Sequence, residues 1–184
     1  MSLTLSTMQE LGNSAPDFSL PDVRSSKTIS LSDYVGQPLL IMFICNHCPY
    51  VLHLIQPLAD LANQYQQQGF AVIAISSNDI SSHPQDSPEN MQLFAERHGF
   101  EFAYCFDESQ QTARSYDAAC TPDFFVYDLD HRLRYRGQMD GSRPGNDVAI
   151  NGADLTAALD AVLNGDDVSD QQLPSMGCNI KWKP

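Results

Sequence analysis

Leu39-Leu40-Ile41-Met42-Phe43-Ile44 runs directly into Cys45-Asn46-His47-Cys48-Pro49, and then into Tyr50-Val51-Leu52-His53-Leu54-Ile55. The first of these stretches is apolar at every position, the pattern of a short strand covered on both faces. Beyond Pro49 the pattern changes period. Val51, Leu54, Ile55, Leu58, Leu61, Ala62 and Tyr65 follow the i, i+3, i+4, i+7 spacing of an amphipathic helix, and Gly69 ends it. The C-x-x-C therefore falls at a strand-to-helix junction. A helix N-terminus offers unpaired N–H groups and a positive dipole end, which favour a thiolate over a thiol. Such settings lower a cysteine pKa from about 8.5 to roughly 3.5–7.5. With two residues between them, one sulfur can attack a disulfide and the other can resolve the mixed disulfide. His47, between the two, can add charge or a donor beside the thiolate. Pro49 fits the first helical turn, whose N–H groups have no intrahelical partner.

Outward from this junction, Ala15–Pro21 alternates like a short edge strand and Phe70–Ser76 reads as a second buried strand. Ser87-Pro88-Glu89 starts a helix whose inner stripe is Met91, Phe94, Ala95 and His98. Phe102–Phe106 is a short strand and Ser109–Tyr116 a short helix. Phe124–Tyr127 and Leu133–Tyr135 form a hairpin around Asp130-His131. Ala153–Leu163 is a closing helix with Gly165 at its end, and the tail from Asp166 to Pro184 has no clear period. A strand–helix–strand unit followed by an antiparallel hairpin and a helix predicts an α/β fold, a mixed sheet flanked by helices on both faces.

Composition narrows the partners. The 184 residues carry 10 Lys and Arg against 23 Asp and Glu, a formal net charge of −13. That balance excludes a basic footprint for nucleic acid and argues against anionic membrane surfaces. No apolar run reaches the 18 or so residues of a membrane span, and no secretory leader is visible. Five cysteines are too sparse for a disulfide scaffold. A cytoplasmic setting follows as the default expectation. A second compact pair of ligands, which a structural zinc site needs, is missing, so neither metal nor cofactor is expected.

Several segments together carry a family resemblance. Leu11–Phe18, Gly36–Leu40 and the C-x-x-C resemble the thioredoxin fold of the alkyl hydroperoxide reductase/thiol-specific antioxidant (redoxin) family. Cys45–Val51, Ala119–Phe125, Ser142–Asp147 and Gly177–Trp182 are similar, in that order, to a group of peroxiredoxin-like proteins with a C-N-H-C-P motif. The resemblance implies a flexible N-terminus over 1–10, a thioredoxin-like domain over 11–165, and a tail over 166–184 packed on the domain. It also implies that the Thr121-Pro122 bond is cis and that Thr121 and Pro122 position an extended substrate.

The departures are informative. Peroxiredoxins of this fold resemble one another in a Pro-x-x-x-Thr-x-x-Cys loop; here Pro38 stands seven residues before Cys45, but Met42 replaces the hydroxyl. Gly36–Ile44 holds no carboxylate, so a proton relay must come from elsewhere, with His47 and Asp123 the nearest in sequence. The leading expectation is a thiol–disulfide oxidoreductase in cellular redox chemistry, with Cys45 attacking, Cys48 resolving and His47 tuning. Its partners would be a protein or small-molecule disulfide or thiol. One alternative is a peroxidase with Cys45 as the peroxidatic cysteine. Another is a copper or zinc carrier built on the thiols. Cys120 and Cys178 are candidate additional redox thiols, and Cys105, between Tyr104 and Phe106, is read as core. Arg143 either lines the site or caps its own loop, His53 is read as solvated, and Trp182 as a buried anchor of the tail.

Overall fold

The computed structural model describes residues 3–184. In chain order it contains β1 (Leu3–Leu5), β2 (Ser19–Pro21), β3 (Thr28–Ser30), β4 (Leu39–Phe43), α1 (Pro49–Gln67), β5 (Ala71–Ser76), α2 (Pro88–Arg97) and β6 (Ala103–Phe106). There follow α3 (Gln111–Ser115), β7 (Cys120–Thr121), β8 (Asp123–Tyr127), β9 (Leu133–Gly137), α4 (Ala153–Asn164) and β10 (Met176–Asn179). The central sheet has the order β6-β5-β4-β8-β9. The β4–β5 and β5–β6 pairs are parallel, whereas β4–β8 and β8–β9 are antiparallel.

Strand pleating divides the apolar run Leu39–Ile44 between two cores. Leu40, Met42 and Ile44 join Val51, Leu54, Leu58 of α1, Met91 and Phe94 of α2, and Leu155 and Leu159 of α4. Leu39, Ile41 and Phe43 face the other way, onto Phe18, Leu20, Phe125 and the α3 residue Ala113. The helices thus cover both faces, as the period changes predict. Ser87 caps α2 by accepting from the Asn90 N–H at 3.4 Å. Gly165 ends α4 at φ +72°, a conformation that favours glycine.

The ends of the chain differ most from expectation. Leu3–Leu5, within the segment read as flexible, is a strand, and the tail without a period contains β10. These join β7 in a separate sheet of order β1-β10-β7, all antiparallel. In that sheet Cys178 stands opposite Thr121 and Asn179 opposite Cys120. The approach is very close: a Cβ on Gly177 would lie 1.9 Å from the Thr121 carbonyl oxygen, so only glycine fits there. Ser175 Oγ donates to the Pro122 carbonyl at 2.6 Å, and the Asp79 N–H donates to the Lys181 carbonyl at 2.8 Å. The tail is thereby fixed on both sides of Cys178. Trp182 is 37% exposed rather than buried; the guanidinium of Arg114 lies 4.4 Å from its ring centroid and holds it by a cation–π contact.

Candidate active site

β4 delivers Cys45 just past its last residue, and α1 starts at Pro49, which makes Cys48 the N-cap. Both residues are buried, at 1% and 0% exposure. Thr121 meets them from β7: its hydroxyl lies 3.4 Å from Cys45 Sγ, and its carbonyl accepts from the Cys48 thiol at 3.1 Å. The Thr121-Pro122 peptide bond is cis. Thr121 is itself buried, and β10 takes the strand edge that the resemblance assigns to an extended substrate.

The two sulfurs titrate together, because each faces the other. A hydrogen bond from the Cys45 thiol comes first in holding Cys48 down at about 4. Burial opposes it, and Cys178 and the N–H groups of Val51 and Cys178 add to it. Val51 lies in the first turn of α1, so its smaller share belongs to the helix N-terminus, where Cys48 is the N-cap residue. Cys45 moves well above its ordinary value. The bond it gives to Cys48 is the largest cause, followed by burial and the nearby charge of Asp86, with the Thr121 hydroxyl opposing. When Cys48 ionises it gives up its bond to the Thr121 carbonyl and keeps the interactions with Cys45, Cys178 and Val51. The arrangement favours one proton shared by the pair.

Asp86, which the sequence reading passes over, organises this corner. It is 0% exposed and ends a 3-10 turn over Pro84–Asp86. Its Oδ1 accepts from the Asn46 N–H at 2.8 Å, and its Oδ2 lies 2.7 Å from His47 Nδ1 and 2.8 Å from Asn78 Nδ2. Burial raises the Asp86 carboxyl, but the bonds from His47 and Asn78, the His47 charge and the Asn46 N–H outweigh it and hold the group below its usual value. A charged Asp86 fixes Nδ1–H of His47 as a donor and leaves Nε2 as the acceptor in the neutral ring. His83 stacks on His47 with centroids 4.9 Å apart, closing the loop from outside. No local spacing marks Asp86: it lies 39 residues from His47, in a polar connection with other acids on either side.

Asp86→Asn keeps the shape but replaces an acceptor with an NH2 facing two donors. The expected cost is about 2–3 kcal/mol, typical of buried hydrogen bonds to a charged group. A urea titration of the reduced protein measures it; a loss below about 0.5 kcal/mol would show that the carboxylate is dispensable.

The remaining expected residues fall into place around this centre. His53 is not solvated: its Nε2 lies 2.8 Å from Ser142 Oγ and ties α1 to the 140–148 loop. Arg143 caps that loop, donating to the carbonyls of Asp140 and Ser142 at 2.6 Å and to Gln138. Cys105 belongs to the second core, where burial and then the charge of Asp22 push its thiol up. Cys120 donates to the Pro122 carbonyl at 3.7 Å; burial and then the charge of Asp123 push its thiol up. Asp123, opposite Phe43 in the sheet, is engaged by Arg136 at 3.1 Å. Cys178, by contrast, lies in the same core cluster as Cys45 and Cys48, and its thiol contacts Cys48. Among the described residues, Cys45 Sγ, a His47 ring nitrogen and an Asp86 oxygen converge within 4.8 Å, donors that a soft or borderline cation could bridge. Binding there would displace a hydrogen bond, because both Asp86 oxygens are already engaged.

Comparison with known proteins identifies the family and the fold. A thiol-disulfide oxidoreductase, ResA, from Geobacillus thermodenitrificans is 26% identical over 131 residues, 71% of each chain. The crystal structure of an uncharacterized conserved protein from Geobacillus kaustophilus superposes with a TM-score of 0.97 at 48% identity, over 100% of this chain and 98% of that one. A putative thiol:disulfide interchange protein, DsbE, from Chlorobium tepidum has a TM-score of 0.67 at 24% identity over 85% of this chain and 99% of that one, a likeness of fold. The AhpC/TSA family model matches residues 11–136, from the segment before β2 to the end of β9, and this chain, with its thioredoxin-like fold, belongs to that family.

Proposed function

We propose that the protein is a thiol–disulfide oxidoreductase whose redox-active pair is Cys45 and Cys48, with Cys48 the thiolate at rest. The observation that carries this reading is the buried thiol pair at the N-terminus of α1, with both sulfurs against Thr121 opposite the start of the helix. The similarity to a thiol-disulfide oxidoreductase supports it. Cys48 attacks a substrate disulfide and forms a mixed disulfide, releasing one thiolate. Cys45 then loses its proton to that leaving thiolate or to His47 and attacks Cys48 Sγ. The Cys45–Cys48 bond forms and the second substrate thiol departs, so substrate gains two electrons and the pair loses two. In this reading His47 acts through its Asp86-fixed ring, and the Thr121 hydroxyl holds Cys45 Sγ in place.

Equilibration in glutathione or dithiothreitol redox buffers tests the proposal. The expected result is reversible, joint loss of alkylation at Cys45 and Cys48. Alkylation of both at every buffer ratio would refute it.

One observation favours a second reading, a peroxidase. The Thr121 hydroxyl, 3.4 Å from Cys45 Sγ, supplies from β7 the hydroxyl that Met42 lacks. In that case, hydrogen peroxide would drive consumption of dithiothreitol, and Cys45→Ser would abolish it.

A further inference from the structure

Three thiols, not two, meet at Thr121. Cys45 Sγ is 3.4 Å from its hydroxyl and Cys48 Sγ is 3.1 Å from its carbonyl. Cys178 is its cross-strand partner, and the Cys178 thiol is in hydrogen-bond contact with Cys48. The contact is built in. Gly177 admits no side chain against the Thr121 carbonyl, Ser175 bonds Pro122, and Lys181 N–H donates to Asn78 Oδ1 at 2.8 Å. Asn78 in turn donates to Asp86. A cysteine required only for packing would not need its strand clamped at both ends against the pair. Cys120, its neighbour across β7, bonds Pro122 instead and does not share the arrangement.

We propose that Cys178 is a third redox thiol, the internal exchange partner of Cys48. This rests on the reading of Cys45 and Cys48 as a redox pair. The oxidant is a small disulfide, since both sulfurs are buried and β10 occupies the edge of β7 that an extended protein substrate would need. Once the Cys45–Cys48 disulfide has formed, Cys178 attacks Cys48 Sγ. The Cys48–Cys178 bond forms, the Cys45–Cys48 bond breaks, and Cys45 leaves carrying the proton that Cys178 loses. No electrons enter or leave in this step. Burial, and then Cys48 itself, raise the Cys178 thiol to about 12, and the charge on Cys48 disappears once that sulfur is in a disulfide. The exchange ties β10 covalently to α1 and returns Cys45 as a thiol while the protein stays oxidised.

The test is oxidation of the full-length protein with oxidised glutathione, an acid quench, and disulfide mapping by mass spectrometry. The wild type should yield both Cys45–Cys48 and Cys48–Cys178 linkages. Cys45→Ser should give Cys48–Cys178, and Cys178→Ser only Cys45–Cys48, with Cys178→Ala as a second variant should serine disturb the buried site. If Cys45→Ser holds glutathione on Cys48 with no Cys48–Cys178 bond, while the Cys178 variants still form Cys45–Cys48, the exchange is overturned and the pair stands. If the Cys178 variants form no Cys45–Cys48 bond, pair and exchange fall together.

Discussion

Replacing Cys48 with serine lowers disulfide exchange by three orders of magnitude or more, the scale expected when a nucleophile is removed. The loss is larger than simple removal of one sulfur implies, because Cys45 cannot substitute. In the wild type its proton is held by the bond to Cys48 and by burial, and Asp86 disfavours its ionisation. Serine at 48 removes the first cause and leaves the other two. Cys45→Ser behaves differently: Cys48 keeps the α1 N-terminus, Val51 and Cys178, and still attacks substrate. Glutathionylation of Cys48 in that variant should remain fast in a single turnover. Stopped-flow reaction with a chromogenic aromatic disulfide separates the two, and a slow Cys45→Ser with a fast Cys48→Ser would reverse the assigned roles.

Arg136→Met costs about 3–5 kcal/mol at pH 8, the range for breaking a buried ion pair from one side. Arg136 and Asp123 are both fully buried, with Nη2 3.1 Å from Asp123 Oδ2 and 2.7 Å from the Asp117 carbonyl. Methionine keeps much of the stem and removes the charge. Burial already raises the Asp123 carboxyl to about 6, with Arg136 the main opposing influence. Because that value exceeds the unfolded one, about 3.9, the folded state binds more protons between the two, and stability falls as pH rises through that window. Without Arg136 the carboxyl moves higher and the fall extends further, so the penalty is smaller at pH 5 than at pH 8. Urea unfolding at the two pH values measures the difference. A small, pH-independent loss would mean that Asp123 is neutral in the native protein.

What was legible in the sequence is what local periodicity encodes. The uniform apolar run of β4, the 3.6-residue stripe of α1 and the Ser-Pro start of α2 each reflect one element against its core, and the structure places them within a residue or two. The C-x-x-C is legible for the same reason, since its meaning comes from the two elements on either side. The long-range parts are not. β10 is four residues with a glycine at its second position, too short for a period, and its partners lie more than 50 residues upstream and at the N-terminus. Asp86 resembles the other acids of an acidic chain until the fold brings it under Asn46 and His47. The contacts among the thiols arise only when β7 and β10 bring Thr121 and Cys178 against the C-x-x-C, which no spacing encodes.

The midpoint potential of the Cys45–Cys48 couple, measured from pH 5.5 to 8, tests the central claim most directly. With one proton shared by the reduced pair, as proposed, reduction by two electrons takes up one proton. The potential should then fall by about 30 mV per pH unit. A slope of about 60 mV per pH unit would mean that both sulfurs are protonated at rest, and would contradict the account.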